Sequence, residues 1–246
     1  MTSTTSPIHN LIDHLMIKIY ADGADIDSMT ALAAQQHISG LTTNPTLMRQ
    51  AGIRDYVAFA HDVLARVTTK PISFEVFADE PAEMIRQARI IASWADNVYV
   101  KIPVSTTDGS PCDAVVQQLS GEGIKLNVTA LMTAAQVKDI RDALAPGVPS
   151  IISVFAGRIA DTGRDPMPVM AECVELLAER PEIELIWASP RELLNVFQAD
   201  AVGCHIITAT PDVLRKLSLV GKDLDEYSVE TVQMFHRDAL AAGFTL

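Results

Sequence analysis

Short runs of β-branched and aliphatic residues alternate along this chain with longer amphipathic segments, and no low-complexity linker interrupts the alternation. Short apolar runs bounded by turn residues predict buried strands, and apolar positions recurring every third or fourth residue predict helices. The strand pattern falls on Ile17–Asp22, Ile38–Thr42, Ile72–Phe77, Val98–Ile102, Ile124–Val128, Ile151–Phe155, Ile183–Trp187 and His205–Thr208. The helical pattern is clearest at Asp25–Gln36, Asp55–Thr69, Pro81–Ala95, Ala134–Leu144, Val169–Glu179 and Glu192–Gln198. Asp79 ahead of Pro81, and Thr133 opening a Thr-Ala-Ala-Gln capping-box pattern, act as helix start signals.

Eight strands alternating with helices predict a parallel sheet, and eight is the closing number of the (β/α)8 barrel. An open doubly wound sheet is the alternative, yet no Gly-x-Gly-x-x-Gly turn follows the first strand. The expectation is an α/β fold, a single (β/α)8 TIM barrel over residues 1–246 with its core at about 17–217. Two additions lie outside that core: a short helix at Ile8–Leu15, and a helix around Ser228–Ala242 in a C-terminal extension of about 225–246.

Polar residues break the apolar pattern at one end of the strands. In such barrels catalytic side chains sit at the C-terminal strand ends, and residues two apart share a face. Asp22 ends the first strand, Thr42 and Asn44 the second, and Glu75 lies late in the third. Lys101 is late in the fourth, Asn127 and Thr129 close the fifth, Ser153 and Phe155 the sixth, and Ser189 follows the seventh. Lys18 and Lys125 stand at strand starts, where they face the opposite end as structural or solvent-reaching residues.

Lys101, in Asn97-Val-Tyr-Val-Lys-Ile-Pro-Val104, is the most informative of these. Desolvation disfavours a charged ammonium, and the neutral amine is the species that attacks a carbonyl to build a Schiff base. Two ordinary readings stand beside that one: a snorkelling surface lysine, or a Glu75–Lys101 ion pair across adjacent strands. A simple pair would not require Asp22 or the neighbouring hydroxyl and amide groups. Schiff-base aldol cleavage would use them, since two carboxylates and a water-holding hydroxyl can share its proton transfers. It needs no metal and no added cofactor, and the six histidines form no ligand cluster. A second group, Gly157-Arg158 with Ser189-Pro-Arg191, offers guanidinium forks, a hydroxyl and a following helix to a phosphate.

Composition narrows the classes further. The net charge of -12 argues against a general nucleic-acid binder, although a phosphate site needs only a few local cations. No apolar run approaches the ~20 residues that cross a bilayer, and Met1-Thr-Ser-Thr-Thr-Ser-Pro7 lacks a signal pattern. Cys112, Cys173 and Cys204 have no metal-ligand spacing, so a reduced cytoplasmic protein without membrane partners is expected.

From about Ile19 to Phe244 the chain resembles the transaldolases and the fructose-6-phosphate aldolase-like proteins. Gly40-Leu-Thr-Thr-Asn-Pro-Thr46 is similar to the transaldolase N-terminal signature, and Val98-Tyr-Val-Lys-Ile-Pro103 to the active-site lysine segment. Asn127-Val-Thr-Ala130 and Ile152-Ser-Val-Phe-Ala-Gly-Arg158 resemble the fifth- and sixth-strand motifs. The resemblance implies a Schiff base on Lys101, proton transfer by Asp22, Glu75 and, through a bound water, Thr129. It implies that Thr43, Asn44, Asn127, Ser153 and Phe155 bind substrate, and that Arg158, Ser189 and Arg191 hold its phosphate. It also implies a homo-oligomer.

Glu75 and Phe155 are the transaldolase choices at two positions where aldolase-type members carry glutamine and tyrosine. The expected activity is transfer of a dihydroxyacetone unit from a ketose phosphate to an aldose phosphate. The alternatives are a lyase releasing free dihydroxyacetone, a non-catalytic sugar-phosphate-binding barrel, and a barrel using lysine to hold pyridoxal phosphate. The chain departs from the family at Gly23, often threonine or serine, at Pro190, where an aromatic is usual, and in the spacing across Arg191–Gly203.

Overall fold

Eight parallel strands pair in sequence order and close when the eighth meets the first. They are β1 (Lys18–Asp22), β2 (Ile38–Thr42), β3 (Ile72–Glu75), β4 (Val98–Pro103), β5 (Leu126–Leu131), β6 (Ser150–Val154), β7 (Ile183–Trp187) and β8 (Ile206–Ala209). This computed structural model describes Ile12 and residues 14–245, so most of the helix expected at Ile8–Leu15 lies outside the described residues. The helices of the barrel are α1 (Ile26–Ala33), α2 (Pro45–Gln50), α3 (Tyr56–Arg66), α4 (Pro81–Ala92), α5 (Asp113–Gly121), α6 (Ala134–Ala143), α7 (Ala156–Asp161), α8 (Met167–Leu177), α9 (Leu194–Ala201) and α10 (Pro211–Leu214).

Strand alternation sorts the side chains into two apolar layers. Leu41, Phe74, Val100, Val128, Ile152 and Leu185 are fully buried at the parity that faces the helices. At the other parity Tyr20, Ile151, Ile186 and Ile206 fill the barrel interior, with Tyr99 and Phe155 packed against them. Lys18 bonds Glu184 at 2.7 Å and Lys125 lies over the Tyr99 ring at 5.8 Å, so both strand-start lysines belong to the end opposite the polar strand ends.

Local chemistry explains most helix starts. The side chains of Asp25, Asn44, Asp55 and Thr133 each accept an amide of the first turn, and Thr133 with Gln136 completes a capping box. The start signal assigned to Asp79 belongs instead to Glu80, which accepts the Glu83 amide. Asp79 turns away to accept from Thr107 N–H and hydroxyl. Four helices escape the periodicity. Helices α2 and α7 have six residues each and α10 four, all under two turns, and α5 has Cys112 at its N-cap position without a side-chain cap. Strand β3 stops at Glu75 rather than Phe77, because the Phe77 and Ala78 amides go to the Gln87 side chain.

Residues 16–214 form one compact unit, and the segment from Arg215 onward belongs to a second. That second unit carries a 3₁₀ turn at Arg215–Leu219 and α11 (Leu224–Ala242). Helix α11 starts four residues before the expected Ser228, since Asp223 caps a polar first turn, and it ends at Gly243 with φ 68°.

Gly40 marks the tightest approach inside the barrel: a Cβ there would lie 2.4 Å from the Tyr20 ring. A buried ring has no open direction in which to retreat, so Gly40→Ala should lower stability by about 1–3 kcal/mol in urea unfolding.

Candidate active site

Lys101 leaves β4 towards the C-terminal mouth of the barrel and is 6% exposed. Its Nζ donates to the Thr43 carbonyl at 2.9 Å and lies 3.2 Å from Glu75 Oε2. The β3–β4 register pairs Glu75 with Lys101, so both side chains leave the same face of neighbouring strands. The cross-strand ion pair is therefore present, and it forms part of the wall of a cavity of about 460 Å³. Asp22, Asn44, Thr129, Ser153, Phe155, Arg158, Ser189 and Arg191 line the same cavity.

Asp22 is the second carboxylate of the wall. Thr42 Oγ1 donates to it at 2.9 Å and Asn44 Nδ2 at 3.2 Å. The Thr208 hydroxyl donates in turn to Thr42 at 2.5 Å, since the Thr42 proton is already committed to Asp22. Burial pushes the Asp22 carboxyl above the ordinary carboxylate range, and the Glu75 charge adds to this. Lys101 and the Thr42 and Asn44 hydrogen bonds offset only part of the effect. The two carboxylates thus occupy different settings, one against the ammonium and one in a web of hydroxyl and amide donors.

On β5 the Thr129 side chain is buried against the cavity and its Oγ1 makes no hydrogen bond to protein. The strand distorts just beyond it: Ala130 takes φ 67°, and the β5–β6 register shifts between Val128 and Leu131. An orphan hydroxyl facing a cavity is a ready partner for a water or a substrate hydroxyl. Asn127 and Thr43 are not on the cavity wall. Asn127 is fully buried beneath it, donating to Ser73 Oγ at 3.0 Å and accepting from Ser153 Oγ at 2.7 Å. The Thr43 hydroxyl donates to the Ser73 carbonyl at 2.8 Å, leaving its own carbonyl for Lys101.

The cationic corner is built by two interlocked loops. A Cβ on Gly157 would sit 1.6 Å from the Ser189 carbonyl, so only glycine permits this approach. The Gly157 amide donates to Ala188 O at 3.2 Å, and Ser189 takes the left-handed φ of 58°. Arg158 holds its guanidinium 5.7 Å from the Phe155 ring centre. Arg191 is differently employed: it makes a bidentate pair with Asp161 and donates to Ser189 O at 2.9 Å. The helix expected from Glu192 begins at Leu194, because the Asn195 side chain takes the Arg191 and Glu192 amides and holds that stretch as a turn.

Several wall residues escaped the sequence reading. Thr208 is a strand hydroxyl of the correct parity, like Thr42, and parity could have identified it. Leu47 and Gln50 come from α2, whose existence was not anticipated. Gly23 is not enforced by sterics, since a Cβ there would meet Met29 at an ordinary 3.6 Å. Among the described residues no group of three or more His, Cys, Asp or Glu side chains is placed to hold a metal ion, and no helix is long and apolar enough to cross a membrane.

Comparison with known proteins follows the same lines. A solved putative lyase/mutase from Burkholderia cenocepacia J2315 superposes with a TM-score of 0.58 at 15% identity, covering 86% of this chain and 82% of that one, which speaks for the fold alone. A probable transaldolase of Dehalococcoides mccartyi is 36% identical over 202 residues, 82% of this chain and 90% of that protein. One from Herpetosiphon aurantiacus is 32% identical over 224 residues, 89% and 96% of the two chains. The family model described as transaldolase/fructose-6-phosphate aldolase matches residues 19–246, which takes in all of the strand ends described above. With that span and these relatives, the chain belongs to the transaldolase/fructose-6-phosphate aldolase family.

Proposed function

We propose that this protein is a transaldolase in which Lys101 carries the three-carbon unit. The observation that supports this most is the placement of one buried amine among two carboxylates in unlike settings, within a cavity that also holds an orphan hydroxyl and a guanidinium corner. The neutral Nζ adds to the ketone carbon of the ketose phosphate, and water leaves as the iminium forms. Glu75, 3.2 Å from Nζ, is placed to move protons at that nitrogen and at the departing oxygen. Asp22 removes the proton of the hydroxyl two carbons away. The carbon–carbon bond then breaks, its electron pair enters the iminium to give an enamine, and the aldose phosphate departs. A second aldehyde accepts the enamine carbon, Asp22 returns the proton to the new alkoxide, and hydrolysis frees Lys101.

Ser153 and Asn44 are suited to the hydroxyls of the dihydroxyacetone unit, with Asn127 orienting Ser153 from below. Arg158, Ser189 and Arg191 receive the phosphate. Phe155 offers no hydroxyl to hold a hydrolytic water, which favours transfer over release of dihydroxyacetone. A homo-oligomer belongs to the same reading: α11 buries none of its residues, and Leu224, Val232, Phe235 and Leu240 stand exposed on it.

With fructose 6-phosphate alone, free dihydroxyacetone should form slowly, and an added aldose phosphate should divert the unit into a new ketose phosphate. Rapid release undiminished by the acceptor would make the enzyme a lyase. Borohydride with a ketose phosphate should fix a sugar on the Lys101 peptide without added cofactor, and Lys101→Ala should remain folded with neither adduct nor turnover.

Arg158→Ala should raise KM for phosphorylated substrates about tenfold to a hundredfold with a smaller effect on kcat. Asp161→Asn should act in the opposite direction, lowering that KM by up to about fivefold as Arg191 is released. Asp22 works as an ionised base, and its carboxyl is raised. The acid limb of kcat should therefore lie above the ordinary aspartate value of about 3.9, with activity falling as pH drops through it.

A further inference from the structure

The β2–β3 ladder breaks just where Glu75 needs it. Thr43 N–H donates to the Ser73 carbonyl at 3.2 Å, following Leu41 N–H to Pro71 O at 2.8 Å. Two residues further, the parallel pattern would give the Glu75 N–H to the Thr43 carbonyl, and the amide of residue 45 to the Glu75 carbonyl. Neither bond is made. The Thr43 carbonyl accepts Lys101 Nζ instead, and residue 45 is Pro45, which has no N–H to give.

The phenol of Tyr56, at the start of α3, supplies both missing partners. Its oxygen accepts the Glu75 N–H at 2.8 Å, and its hydroxyl donates to the Glu75 carbonyl at 3.0 Å. The ring is held edge-on by Phe74 and Phe77, at 6.2 and 4.4 Å between centroids, and by Trp94 at 5.8 Å. Burial raises the phenol well above its ordinary pKa, so the donating proton is retained through the working pH range. Tyr56 does not line the cavity that holds Lys101, so it has no route to the substrate itself.

We propose that Tyr56 is a positioning residue that replaces the lost β2 partners of Glu75 and thereby fixes the Glu75 carboxylate against Lys101. The proposal rests on the reading of Glu75 as a proton-transfer group. Without the clamp, Glu75 would have no main-chain hydrogen bond of its own, since its N–H and C=O both face away from β4. Only neighbours such as Val76, whose N–H donates to Lys101 O at 3.2 Å, would tie this end of β3 to β4. Glu75 would then swing at a point where a small displacement separates its Oε2 from Nζ. The groups that face this carboxylate are Lys101 from β4 and Asp22 from β1.

The test is Tyr56→Phe in the full-length enzyme, which keeps the ring and removes only the hydroxyl. Expected are a fall in kcat of about tenfold to a hundredfold, an unchanged KM, and a displaced pH profile of kcat. Trp94→Phe, which loosens the packing and leaves the hydroxyl in place, should lower thermal stability with kcat preserved. In a Glu75→Gln background the same Tyr56→Phe change should cost nothing further in kcat.

Wild-type kcat and pH profile in Tyr56→Phe, beside a Glu75→Gln enzyme that has lost turnover, would overturn the clamp and leave the function reading intact. Wild-type turnover in Glu75→Gln would instead remove the role of Glu75, and the clamp with it. If Tyr56→Phe does not fold, 3,5-difluorotyrosine at position 56 carries the test, because its hydroxyl is a poorer acceptor for the Glu75 amide. A severalfold loss of kcat at constant KM would support the clamp, and an unchanged kcat would overturn it.

Discussion

An amine nearly closed off from water governs the mouth of this barrel. Lys101 can be kept there only with partners, because an isolated ammonium in such a place costs several kcal/mol or more. One partner is the Thr43 carbonyl and the other is Glu75. Taking a main-chain carbonyl for that purpose interrupts the sheet, and much of the surrounding structure follows from the interruption. Strand β2 ends at Thr42, Asn44 turns its side chain to cap α2, and Pro45 begins a helix where a ladder amide would otherwise be needed.

The site as a whole then reads as a division of labour between polar networks of opposite character. Around Asp22 the donors are side chains, Thr42 and Asn44, with Thr208 behind them, and the carboxyl is still raised by burial. Below Ser153 the network joins strands, since Asn127 donates to Ser73 on β3 and accepts from Ser153 on β6. Thr129 Oγ1, buried against the cavity, is left open. A hydrogen-bonded floor beside an open buried hydroxyl suits the proposed chemistry, which moves protons between fixed points.

The barrel was legible because strand alternation and strand number are properties of the linear pattern. The polar strand ends were legible for the same reason, through shared parity. What the pattern could not show was the business of the backbone. Thr43 enters through its carbonyl, and its side chain points to Ser73, so residue type misdirects at that position. Tyr56 reads as an apolar helix residue, and its partners are the main-chain atoms of Glu75, 19 positions away. Asp161 looks like a surface acid until the fold brings it to Arg191, 30 residues on. Helices α2 and α7 are too short for a period to emerge, and both contribute to the cavity's rim or its approach.

The contact of Gly157 with the Ser189 carbonyl has an evolutionary consequence. Two loops that touch so closely behave as one piece, so an insertion in either would dislodge Arg158, Ser189 and Arg191 together. On the proposed reading of this corner as the phosphate site, lineages that keep it can therefore hardly vary the length of these connections. New acceptor preferences would have to arise on the other side of the cavity, where Leu47 and Gln50 project from a short helix that can be exchanged residue by residue.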